Sequence, residues 1–209
     1  EENISLEAPV PAHLPGRIDA VLHSLYLLFN EGYNSSHPDS LIRHDLCSEA
    51  MRLCLLVVNN KVTSVPKAKA LLALMCFQAS RSEARMQQDG TIILMKDQDR
   101  SQWNNALIEK GKYYLEQAAE GNDISEYHIE AAIAGCHMRA ASFKETDWEQ
   151  ILKLYTFLSE VKPGAFVELN KAIAIGYAHS SAAGLHALKN ITGMAEHYLY
   201  HSAMGDFYV

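Results

Sequence analysis

No stretch of this 209-residue sequence approaches the long, uncharged apolar run that a membrane span needs, so a helical membrane protein is excluded. Clustered basic residues are missing too: 18 Lys and Arg are scattered among 25 Asp and Glu, giving a formal net charge of -7. A phosphate backbone is held by grouped cations, so direct nucleic-acid binding by this chain is not expected. The start, Glu1-Glu2-Asn3-Ile4, lacks Met, a basic region and an apolar core; this excludes a signal peptide and reads as the cut edge of a longer chain. Cys-x-x-Cys pairs are absent. Cys47, Cys54, Cys76 and Cys136 stand far apart in apolar helical stretches, where a free thiol acts as a small hydrophobe, and a reducing, cytoplasmic setting follows. There is no His-Glu-x-x-His, Gly-x-Gly-x-x-Gly, Walker motif or Gly-x-Ser-x-Gly, so no metal, no cofactor and no enzymatic activity are expected.

What is present is helix. Residues 1–14 hold Pro9 and Pro11, with Pro15 just beyond, and little periodicity, which predicts an extended leader. From Arg17 the residues Ile18, Val21, Leu22, Leu25, Leu28 and Phe29 recur at three- and four-residue steps, predicting a first helix that ends near Gly32. Turn residues from Asn34 to Asp39 follow, with Asp39 or Ser40 available to cap a second helix running to about Asn59. Pro66 suits the first turn of a third helix reaching about Arg85. Asp89-Gly90-Thr91-Ile92-Ile93-Leu94-Met95 reads instead as a tight turn and a short extended excursion. A fourth helix containing Trp103 then stops near Gly121, and an Ala- and Gly-rich fifth helix, Ser125 to Ser142, allows close backbone approach and looks central. Four more helices are expected at about 147–161, 163–178, 180–190 and 195–209, joined by short connections that favour antiparallel neighbours. The whole predicts one all-α domain, 15–209, of about nine antiparallel helices, with the excursion closing its first part at residue 95.

A tetratricopeptide-like helix pair shows toward the C-terminal half. Trp148, Ile151 and Tyr155 have the spacing of that motif's first helix, and Ala165, Leu169 and Ala172 fall near the small, large and small positions of its second. A large aromatic on one helix fills the gap left by small residues on the other.

Two polar clusters could carry function. Glu31 and Tyr33, followed by Arg43 and Asp45, surround one helix-helix turn; Asp99 and Arg100 precede Trp103. Glu31 and Asp45 could act as an acid/base carboxylate pair. With no nucleophile or oxyanion loop beside them, structural bracing by Arg43 and Arg100 is the favoured reading. His197 and His201 would share a helix face, and surface or core decoration is favoured over a metal site.

Several segments together resemble the C-terminal, tetratricopeptide-like extension of extracytoplasmic-function sigma factors. They are Leu25 to Tyr33, Arg43 to Leu53, Leu71 to Met75, Asp97-Gln98-Asp99-Arg100-Ser101-Gln102-Trp103, Glu130 to Ala134, Thr146-Asp147-Trp148 and Leu169-Asn170-Lys171-Ala172, in order along nearly the whole chain. Thr91 stands where the family has a second Gly after Asp89-Gly90, and Lys171 where it has Arg, keeping the charge but losing the bidentate fork. The resemblance implies a regulatory, protein-interaction domain in transcription initiation, with the sigma regions of the same full-length protein and the RNA polymerase core as partners. Glu31, Tyr33, Arg43, Asp45, Asp89, Gly90, Asp99, Arg100 and Trp103 are then the expected docking surface or polar brace. The competing expectation is a small-molecule sensor or vestigial enzyme in which these side chains line a pocket between helices.

Overall fold

The computed structural model describes residues 13–35, 42–87, 90–121 and 123–208. Among them lie nine α-helices and no strand, an all-α array as the periodicity predicts. α1 (Ile18–Tyr33) buries Ile18, Leu22, Leu25, Phe29 and Gly32 along one face. α2 (His44–Asn59) answers with Cys47, Ala50, Cys54 and Val58. The two helices cross at Gly32: a Cβ there would lie 2.7 Å from the Cys47 amide nitrogen and 2.9 Å from the Arg43 carbonyl oxygen. That contact is backbone on backbone, and the Arg43 amide donates to the Gly32 carbonyl at 2.7 Å.

α3 (Pro66–Ala79) is buried on every side from Ala70 to Phe77, as a helix apolar all round must be. It packs against α1, α2, α4 (Asn105–Ala118) and α5 (Glu126–Arg139). α5 is likewise buried through Ala131, Ile133, Ala134, Gly135, Cys136 and His137, and joins the N-terminal helices to α6 (Trp148–Val161). Its small residues let α3 and α4 approach, so the central place expected of it holds. α6 and α7 (Ala165–Ala178) are antiparallel: Trp148, which opens α6, stacks on Tyr177 near the end of α7, with centroids 4.6 Å apart. Trp148 also meets His137 and Phe143 edge-on, at 5.3 and 5.1 Å, so the neighbours of this aromatic are rings, while Ala165 and Ala172 pack in a separate cluster with Leu188 and Phe207. α8 (Ser181–Lys189) and α9 (Tyr198–Tyr208) close the array, with Phe207 seated over Gly176 and Gly184.

Several boundaries differ from the sequence expectation, among them the end of α5, at Arg139 and not Ser142, and the start of α9, at Tyr198 and not about 195. α3 stops at Ala79, not Arg85, because the chain turns at Ser80 into a 3-10 turn, Ser82–Arg85. Trp103 lies before α4 instead of inside it, because the Asn104 side chain accepts from the Leu107 amide at 3.1 Å and starts the helix there. α2 begins only at His44, after Arg43, whose side chain caps nothing; Asp39 and Ser40 lie outside the described residues, as does most of the expected leader. The extended excursion is a single antiparallel bridge between Met86 and Ile92, with Gly90 at φ +85° in the turn.

Candidate functional site

The residues of the two sequence clusters lie at two places in the array, the end of α1 with the start of α2, and the segment before α4. At the end of α1, the Tyr33 hydroxyl accepts from Arg81 Nη2 at 2.5 Å and its carbonyl accepts from Arg85 Nη1 at 2.5 Å. The Arg85 guanidinium also lies 3.8 Å from the centre of the Tyr33 ring. Glu31 accepts from the Ser35 hydroxyl at 3.0 Å. Arg43 pairs with Asp45 at 2.9 Å on the surface, and this hydrogen bond holds the Asp45 carboxyl below its ordinary value. Glu31 and Asp45 therefore bond to different side chains, Ser35 and Arg43.

The second place is the segment before α4. Asp99 caps a 3-10 turn, accepting from the Ser101 amide at 2.9 Å and its hydroxyl at 2.7 Å; these bonds lower its pKa. Arg100 reaches to the C-terminal end of α5, where Nη1 donates to the carbonyls of His137 at 2.6 Å and Ala140 at 2.7 Å. Those carbonyls lack helical partners, so a cation is well placed there. The Arg100 guanidinium covers the Trp103 ring at 4.5 Å, and the buried indole packs among Ala73, Leu74, Phe77, Ala131 and Ala134. Burial and then Arg81 lower the Arg100 pKa, against Glu145. Asp89 lies outside the described residues, and Gly90 is exposed in its turn.

A cavity of about 500 Å³ opens between α1, α3, α5, α6 and α7. One end holds Arg81 and His137, both more than nine-tenths buried. Burial, then the guanidiniums of Arg81 and Arg100, push His137 down to about 3, so its imidazole is neutral. At the other side Glu130 accepts from the Tyr26 hydroxyl at 3.1 Å and from Lys162 at 3.0 Å. Burial alone would lower Lys162, but Glu130 and Tyr26 together outweigh it and raise its pKa. Arg81, His137 and Lys162 were not among the residues singled out from the sequence. For Arg81 and His137 the signal is spacing: Leu74, Phe77, Gln78 and Arg81, like Glu130, Ile133, Ala134 and His137, fall on one helix face, each stripe ending on a polar residue; Lys162 has no such signal.

These features define an all-α array of packed helix pairs with a braced turn before its fourth helix. Residues 17–119 match the family described as "Family of unknown function (DUF6596)". An uncharacterized protein of Rhizobium meliloti (strain 1021) is 33% identical over 201 residues, covering 96% of this chain. The chain spans 47% of that relative's length. No solved structure matches the chain. No helix among the described residues is long and apolar enough to cross a membrane.

Proposed function

We propose that this chain is the regulatory, protein-interaction domain of a bacterial sigma factor, acting in transcription initiation through contacts with the sigma regions of the same protein or with the polymerase core. One observation carries the reading. In the segment Asp97 to Trp103, which belongs to the resemblance, the inner side chains Arg100 and Trp103 are locked against α3 and α5, while Asp97, Asp99 and Gln102 stay exposed. A turn fixed from within and acidic without is a preformed docking element for a basic partner surface. The similarity to a protein about twice as long leaves room for the partner regions in the same polypeptide.

Under the competing reading, Glu31, Asp45 and Arg100 would line one pocket. Each has its own partner instead, which favours docking and bracing over a site built from those three. The test is transcription from a cognate promoter by the full-length factor with and without residues 1–209. Loss or deregulation of transcription supports the proposal, and unchanged activity refutes it.

A further inference from the structure

The cavity between α1, α3, α5, α6 and α7 contains hydrogen-bonding capacity that the fold does not use. Arg81 Nη2 is spent on Tyr33 and Gln78, but Arg81 Nη1 is buried with no partner, and so is His137 Nδ1. A buried guanidinium nitrogen left unpaired is costly, and such groups in native proteins are accounted for by a water, an ion or a ligand. Charge agrees with hydrogen bonding. Among the described residues no ion pair joins Arg81, Arg85 or Arg100 to a carboxylate. Arg81 interacts electrostatically with both other guanidiniums and with His137, and with Glu145 the only carboxylate acting on Arg100 among the described residues, positive charge predominates at this end of the cavity.

The walls between the two polar ends are apolar, through Leu74, Phe77, Ile133 and Leu158. Volume, apolar lining and a few convergent polar groups are the attributes of a small-molecule site. We propose that this cavity binds a small organic carboxylate. Its anionic group sits on Arg81 Nη1 and the His137 ring, and its hydrocarbon body lies against the apolar walls toward Glu130 and Lys162. The unpartnered Arg81 Nη1 and the neutral His137 ring supply donors for the two oxygens of a carboxylate, and phosphate is the anion against which this choice is tested. This site is independent of the sigma-factor reading and stands or falls on its own measurement.

That measurement is calorimetric and thermal-shift titration of the 209-residue chain with a panel of alkyl and aryl carboxylates, octanoate and phenylacetate among them, beside their primary amides and inorganic phosphate. The expected result is saturable carboxylate binding, with the matching amide and phosphate at least about tenfold weaker, the scale of one lost charge-assisted hydrogen bond. Arg81→Met removes the anion's partner and should weaken binding by at least about the same factor. Should Arg81→Met fail to fold, Val167→Trp, which fills the cavity from α7 and leaves Arg81 in place, decides the matter by abolishing binding. The proposal is overturned if no carboxylate on the panel binds, if amides or phosphate bind as well as carboxylates, or if either folded variant keeps full affinity.

Discussion

Arg100 and His137, 37 positions apart, are joined by a guanidinium hydrogen bond to a helix-terminal carbonyl at 2.6 Å. The same nitrogen also holds the Ala140 carbonyl, so one side chain closes α5 and ties it to the segment before α4. Arg100→Met should lower the free energy of unfolding by about 2 kcal/mol, the scale of a hydrogen bond to a charged group, with further loss for carbonyls left unpaired. Urea denaturation followed by circular dichroism checks this; a stability within error of the parent would show that the brace contributes nothing.

Gly32 should tolerate no side chain. Besides the Cys47 Sγ, the atoms a Cβ would meet belong to the backbone of Arg43 and Cys47, which cannot swing aside as a flexible side chain could. Gly32→Ala is expected to cost about 1–3 kcal/mol by forcing α1 from α2, despite the better helix propensity of Ala. A melting temperature equal to the parent's would contradict the close crossing.

Much of this fold is legible in the sequence. Of the six apolar positions whose spacing predicts α1, Ile18, Leu22, Leu25 and Phe29 are buried, whereas Val21 is exposed and Leu28 half-buried; Pro66 and Pro163-Gly164 mark breaks where they should. The end of α3 was not legible, because Ser82 to Arg85 has the composition of a helix and only the tertiary packing of Arg81 and Arg85 on Tyr33 turns the chain there. The polar clusters were recognisable as clusters, but their partners were not. Nothing local in Asp99-Arg100-Ser101 says that Arg100 will meet a carbonyl 37 residues later, and Arg81 signals only as a cation ending an apolar stripe.

His137 should make stability depend on pH. Its folded pKa is pushed down to about 3, whereas an unfolded His titrates near 6.5. Between those values the unfolded chain binds more protons, so this contribution is intact above about pH 6.5 and is lost as pH falls toward 3. His128, lowered chiefly by burial, acts with the same sign. Stability at pH 5 should be about 2 kcal/mol below that at pH 7 for His137 alone, at 1.36 kcal/mol per unit. His137→Phe should flatten the slope between these pH values, and an unaltered slope would remove His137 as its source.

All four cysteines are free and buried. Burial pushes Cys47 up to about 11 and both Cys54 and Cys76 up to about 12, and it raises Cys136 as well. Little thiolate is therefore present at mildly alkaline pH. The folded chain should react with an aromatic disulfide reagent only as fast as it unfolds, and all four thiols should react in denaturant. Rapid labelling of one thiol in the native chain would show a site open to solvent.

The docking proposal is tested most directly by removing charge from the exposed side of the Asp97 to Trp103 turn without disturbing its inside. Asn can take over the cap at Asp99, so Asp97→Asn with Asp99→Asn should leave helicity and melting temperature near the parent's. Transcription from a cognate promoter by the full-length factor carrying both substitutions should change severalfold in output or regulation. Parent-like transcription from a variant shown to be folded would contradict the proposal.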